Sequence, residues 1–312
     1  MMNISIRFLL LFFLFSTSVV ISQNYRDKVI YETVYPSFQK ARMDTEYYQK
    51  AKEAILGLEA QYGYETDLKL TLLEYSYRHK DITFFKEQLE ILVEKYGYTI
   101  SFMKGGELYY DAIFTGELSS WFKPMYLKKH FIWLEHNFDK QFDQRKLYDM
   151  ELKSQAVHSF ASKIMEIKSL DSFQIEAVNA KLNEFKFSNS TTLYGICRKF
   201  DFFPSVKNFA VIHSFYNMGL YQNLEIKENI ERTWLLFEPY IKKAYLKNDI
   251  DYGEYRNYDA FCIKHFGFQK YGLITKESLP LFLRNKDYDE FSAIPIENAF
   301  FAEKMKREFG WK

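Results

Sequence analysis

Ala51-Lys52-Glu53-Ala54-Ile55-Leu56-Gly57-Leu58-Glu59-Ala60-Gln61-Tyr62-Gly63-Tyr64 is followed, thirty-four residues on, by Phe85-Lys86-Glu87-Gln88-Leu89-Glu90-Ile91-Leu92-Val93-Glu94-Lys95-Tyr96-Gly97-Tyr98. Ala51, Ile55 and Leu58 fall on Phe85, Leu89 and Leu92, and the spacing i, i+4, i+7 is that of one helix face. Each copy ends in Tyr-Gly-Tyr, with glycine where a left-handed residue closes a helix. Between the copies, Asp67 to Tyr77 carries Leu68, Leu70, Leu72, Leu73, Tyr75 and Tyr77, a further amphipathic stretch. Arg78-His79-Lys80-Asp81 reads as a short turn. The class that follows is all-α. Two copies are fewer than a free-standing solenoid needs, so this layer is expected to dock on the rest of the chain.

Helix–turn–helix units at this period resemble tetratricopeptide repeats. The resemblance covers roughly residues 26–98, and the Trp and terminal Pro of the fuller repeat pattern have no counterpart here. It implies an N-terminal helix–turn–helix repeat layer packed on a C-terminal helical domain.

Residues 99–140 are less regular, with Gly105-Gly106, Gly116 and Pro124 interrupting aromatic-rich segments, and helix is expected to resume over about Lys123 to Asn137. A boundary near Phe138 to Asp143 divides the chain into a tetratricopeptide-like region, 23–140, and a C-terminal helical domain, 141–312. In the second, Arg145 to Ile167 reads as a helix, and Asp171-Ser172-Phe173-Gln174 has the form of a capping start. Asn208 to Met218 reads as another helix. Ile230, Trp234, Phe237, Ile241 and Ala244 step by four, three, four and three, which predicts a core-facing stripe. Glu254 to Phe266 is stopped by Gly267, and Ile296 to Phe309 by Gly310. Twelve Gly and six Pro in 312 residues are too few for the turns of a β-sandwich.

Residues 1–22 read as a secretory signal peptide. Arg7 precedes the apolar run Phe8-Leu9-Leu10-Leu11-Phe12-Phe13-Leu14-Phe15, and Val20 and Ser22 supply small residues before a cut at Ser22/Gln23. The run is shorter than the roughly 20 residues of a spanning helix, so no stable membrane span is expected after cleavage. The expected compartment is periplasmic or secreted. The chain has 42 Lys and Arg against 41 Asp and Glu, and loss of Arg7 with the leader makes the mature balance neutral. That offers no global attraction to nucleic acid. Aromatics at 19% point to a well-filled core. Cys197 and Cys262 are the only cysteines, and outside the cytosol they permit one disulfide, the alternative being two buried thiols.

No G-x-S-x-G elbow, H-E-x-x-H, phosphate-binding glycine loop or paired C-x-x-C occurs, so no cofactor and no metal are expected. Two stretches carry polar groups in apolar surroundings. His213 lies within Ala210-Val211-Ile212-His213-Ser214-Phe215-Tyr216, where burial favours a neutral imidazole with a fixed partner. Asp259 opens a run that ends in Gly267-Phe268-Gln269-Lys270-Tyr271-Gly272.

With Leu147, Met150, Gln155 and His158, these elements resemble an uncharacterised bacterial helical family. Its pattern is L-x-x-M-x-x-x-D-Q-x-x-R, then Q-H on an apolar helix, then an acidic residue before G-x-x-Q-x-Y-G-T-Q. Here Ser154-Gln155 and His158 stand for Asp-Gln and Arg, Ile212 precedes His213, and Leu273-Ile274 stand for Thr-Gln. The resemblance implies the helical fold and carries over no activity.

Two functions follow. The first is an exported binding protein for a protein, peptide or glycan ligand. The second is an enzyme with His213, Asp259, Gln269 and Tyr271, joined by Gln155 and His158, around one pocket, where His acts as general base and Gln and Tyr as orienting donors. Binding is the preferred reading, because it accounts for the period, the neutral charge and the lack of catalytic motifs. Its rival requires the polar groups to converge in an open cleft.

Overall fold

The computed structural model describes residues 25–103, 108–167, 170–210, 217–276, 278–280, 283 and 293–311. The leader and His213 lie outside the described residues. Among the described residues the protein is all-α. They contain no strand, and the one β-type pairing is an isolated parallel bridge between Gln269 and Ile296. No described helix is long and apolar enough to cross a membrane.

The chain divides into two compact units, one formed by the described parts of Met1–Glu65 and Tyr245–Lys312, the other by Thr66–Ala244. The division therefore falls at Glu65/Thr66 and Ala244/Tyr245, whereas residue 140 lies within the second unit. The two Tyr-Gly-Tyr copies are parted by it. Thr45–Tyr62 belongs to the first unit and Ile82–Tyr96 to the second. Both bury the expected face, with Ala51, Ile55 and Leu58 in one and Phe85, Leu89 and Leu92 in the other.

In the first unit, residues 25–41 are helical throughout, with a π-turn at Ile30–Val34 and an α-segment at Tyr35–Ala41. Pro36 accounts for the wide turn. It has no N–H to give the Glu32 carbonyl, and its ring would collide with that carbonyl in α geometry. The turn opens by one residue, and Tyr35 N–H bonds Ile30 O. Ile30, Val34, Phe38 and Ala41 are buried beside the Thr45–Tyr62 helix, which Asp44 caps by accepting Glu46 N–H at 2.8 Å. From the C-terminal segment come Gly253–Phe266 and Ala299–Phe309, closed by left-handed Gly267 and Gly310 as the sequence predicts. Tyr245, Tyr255, Tyr271, Phe309 and Trp311 form an aromatic cluster, with Tyr255 and Trp311 centroids 5.0 Å apart and Phe309 and Trp311 4.6 Å apart.

The second unit contains Thr66–Arg78, Ile82–Tyr96, Ser119–His136, Gln141–Met165, Ser172–Phe200 and most of Ile230–Leu246, with shorter helices between. Pro124 lies inside Ser119–His136, which begins ahead of the expected Lys123. The predicted cap of Ser172–Phe200 is present: Asp171 Oδ1 accepts Gln174 N–H at 2.8 Å, and Gln174 Oε1 accepts Asp171 N–H at 3.1 Å. The stripe is core, with Ile230, Trp234, Phe237, Ile241 and Ala244 all buried.

The helix read over Asn208 to Met218 lies largely outside the described residues, and its start is corrected: the chain forms Val206–Phe209 and leaves helix at Ala210, where φ is 53°, and helix is next described at Met218–Leu224. Side chains from other helices take the carbonyls that end the first segment. Gln144 Nε2 donates to Phe209 O at 3.1 Å and Trp133 Nε1 to Ala210 O at 2.7 Å.

Trp133 also explains Gly97. That residue has φ +65°, and a Cβ on it would lie 2.4 Å from Trp133 Cε2. The indole cannot swing away without giving up its bond to Ala210. Gly97→Ala is therefore expected to destabilise by about 2–4 kcal/mol, from backbone strain and overpacking together. Urea denaturation measures it, and an unchanged midpoint would show that the indole moves freely.

Candidate functional site

Asp259, Gln269 and Tyr271 come together in the first unit, and the cluster is closed. Asp259 is fully buried on the Gly253–Phe266 helix. After Gly267 the chain folds back over it, and Oδ1 accepts the N–H groups of Lys270 and Tyr271 at 2.8 Å each while Oδ2 accepts Leu273 N–H at 3.0 Å. Burial pushes the carboxyl up to about 6, against the pull of those N–H groups. Gln269 pairs with Ile274 as a strand residue would. Its Oε1 accepts Ile274 N–H at 2.9 Å and its Nε2 donates to Ile274 O at 3.0 Å. Tyr271 is buried against Tyr255, Tyr258, Phe301 and Trp311. These groups hold a turn in place. An acceptor filled by backbone N–H bonds and shut from solvent has nothing to offer a substrate.

Gln155 and His158 belong to the second unit, on the Gln141–Met165 helix. They line a cavity of about 320 Å³ with Ser154, Asn217, Tyr221, Gln222 and others. A chain of amides and a hydroxyl fixes its floor. Asn189 Nδ2 donates to Gln222 Oε1 at 3.0 Å, and Gln222 Nε2 donates to Ser154 Oγ and lies 3.4 Å from His158 Nε2. Gln155 Nε2 donates to Glu151 Oε1 at 3.0 Å. The six candidates thus do not share one described pocket. His213 is outside the described residues, three belong to the buried turn of the first unit, and two line a cavity of the second.

Cys197 and Cys262 are both free and buried, the first in the second unit and the second in the first. The disulfide that export permits is not formed, and the pair behaves as core hydrophobes. Burial pushes both thiols up, away from the reactive thiolate. Among the described residues no group of His, Cys, Asp and Glu has the makings of a metal site.

A second cavity was not read from the sequence. It lies in the first unit beside the π-turn, measures about 190 Å³, and is lined by Asp27, Lys28, Tyr31, Glu32, Tyr252, Leu273 and Trp311. Arg26 and Glu65 form a buried bidentate pair at 2.7 Å for both bonds. Trp311 Nε1 donates to Tyr245 Oη at 2.8 Å, and Tyr245 donates to Asp27 Oδ2 at 2.7 Å. Asp27 Oδ1 is buried without a hydrogen-bond partner, the nearest cation being Arg26 Nη1 at 3.8 Å. Burial, followed by the charge of Asp251, pushes Asp27 up to about 7, while Tyr245, Arg26 and the Tyr252 N–H pull against this.

A raised Asp pKa has a definite sign in stability. Between 3.8 and about 7 the folded chain holds a proton on Asp27 that the unfolded chain has lost. The contribution is fully present below the unfolded value and is lost as pH rises through the folded one. Asp259 acts in the same direction. Stability by urea titration is expected to fall from pH 5 to pH 8, with on the order of 2–4 kcal/mol due to Asp27. Asp27→Asn should remove that part of the slope. An equal slope in the variant would show that Asp27 is ionised throughout.

Comparison of the chain with protein-family models, with curated proteins and with solved structures finds no match.

Proposed function

We propose that this is an exported helical binding protein, and that the cavity of the second unit takes a peptide segment. One contrast carries the reading. The carboxylate and amide that the sequence offers for catalysis are bound to backbone and buried, whereas Gln155 and His158 stand exposed at the rim of the 320 Å³ cavity. Amide side chains present one donor and one acceptor, which matches the peptide group. Met218 and Tyr221, which also line the cavity, supply apolar contact for its side chains.

Selection of displayed random peptides on the purified protein, followed by calorimetry of an enriched sequence, tests this. Tyr221→Ala and Gln155→Ala should weaken binding at least roughly fivefold with unchanged melting, a loss of about 1 kcal/mol. Peptides that bind the variants equally well, enrichment of none, or preference for soluble glycans would overturn the peptide assignment. Cleavage of the selected peptide would restore the enzyme reading.

Export rests on Arg7 and the run Phe8 to Phe15. Mass spectrometry of the protein from its native host should find an N-terminus at or near Gln23. Recovery of intact Met1 in a membrane fraction would refute it.

A further inference from the structure

We propose that the cavity beside the π-turn of the first unit binds a small organic ammonium ion, its charge beside the Asp27 carboxylate and its carbon groups between Tyr31, Tyr252 and Trp311. The inference concerns different residues from the peptide cavity and holds whether or not that cavity is occupied.

Charge is the first argument. Arg26 is committed to Glu65 through both of its forked N–H groups, and its remaining Nη1 bond goes to Ile250 O at 3.2 Å. Asp27 lines the cavity and Asp251 bonds its Tyr31 wall, so two carboxylates adjoin the site. Lys28 and Glu32 at the rim approach each other at 4.0 Å and cancel. A low-dielectric site with surplus negative charge favours a cation.

Asp27 is the second. Its residue lines the cavity and is 3% exposed, one oxygen is held by Tyr245, and the other is buried without a hydrogen-bond partner. A buried carboxylate in that state is costly, and a cation in the adjoining cavity stabilises its charge. Asp251 is placed to assist without competing. Its Oδ1 accepts Gly253 N–H at 2.7 Å and its Oδ2 accepts Tyr31 Oη–H at 3.2 Å, which also fixes the Tyr31 ring.

The walls choose the kind of cation. Tyr31 and Tyr252 stack at 4.6 Å between centroids with a 50° tilt, and Trp311 is held by its bond to Tyr245. Aromatic faces around a carboxylate attract alkylammonium groups, which pair charge with apolar surface. A divalent metal ion needs several oxygen ligands at once, and the described residues supply no such set. The volume, about 190 Å³, equals roughly six waters of the liquid and suits a few-carbon amine.

Titration calorimetry of the purified protein with propylammonium and tetramethylammonium chlorides tests the assignment, with sodium and magnesium chlorides at matched ionic strength as references. Saturable binding of at least one ammonium salt is expected, and of neither reference. The groups facing Asp27 are Arg26, Asp251, Tyr31, Tyr245 and Tyr252. Burial pushes the Asp27 carboxyl up to about 7, so affinity should rise roughly tenfold from pH 6 to pH 8 as it ionises. Asp27→Asn should abolish that dependence and weaken binding at least tenfold at pH 8. Tyr252→Leu, which leaves the carboxylate untouched, should weaken binding several-fold and serves should Asp27→Asn fail to fold. The proposal is overturned by no saturable heat with either ammonium salt, by equal affinity in both variants, or by binding of magnesium alone.

Discussion

Ile241→Asp is expected to leave the protein without a cooperative folded state. Ile241 is fully buried on the Ile230–Leu246 helix, one step of a stripe whose Phe237 meets Tyr194 at 6.0 Å and Phe203 at 6.3 Å between ring centroids. Loss of the side chain alone costs about 2–5 kcal/mol. The carboxylate adds the penalty of a buried polar group with no partner, or of holding it protonated. Together these are on the order of 5 kcal/mol or more, which matches the whole stability of many domains. Leu235, on the same helix, is 71% exposed and provides the control. Leu235→Asp should stay within about 0.5 kcal/mol of the parent. Far-ultraviolet circular dichroism during a thermal melt separates the two variants. If Ile241→Asp melts as the parent does, the stripe is not the core that its spacing describes.

The stripe was legible because helix periodicity reports which face a helix buries. The same holds for Ala51, Ile55 and Leu58, and for the Asp171–Gln174 cap, whose partners lie three residues apart. Periodicity does not report which helix lies opposite. That is why the Tyr-Gly-Tyr copies read as one layer although they belong to different units. It is also why the sequence did not show a helix ending at Ala210. The groups that end it, Gln144 and Trp133, come from 65 and 77 residues away. The Asp27 cavity was invisible for the same reason. Its carboxylate is fixed by Tyr245, 218 residues on, and Tyr31 by Asp251, 220 residues on. Pro36, within a helix and one turn past Tyr31, was the sole local mark of a break there.

Asp259 was legible in position and misleading in role. A buried acid ahead of Gly-x-Gln-x-Tyr-Gly has the look of catalytic equipment, yet its partners are backbone N–H groups 11 to 14 residues downstream. Asp259→Ala is therefore expected to act on stability. It leaves the N–H groups of Lys270, Tyr271 and Leu273 without their acceptor, at about 1–3 kcal/mol for each that stays buried, so a loss of roughly 3–6 kcal/mol. Asp259→Asn should fall between. Its amide oxygen can keep the two bonds at Oδ1, while its NH₂ meets Leu273 N–H donor against donor. Tyr271 packs on Trp311, with centroids 6.1 Å apart, so release of the turn should also alter tryptophan emission. A catalytic Asp259 would behave otherwise: the Asn variant would melt like the parent and lose one specific activity. The graded order, parent above Asn above Ala in denaturation midpoint, distinguishes a carboxylate that holds the chain from one that acts on a substrate.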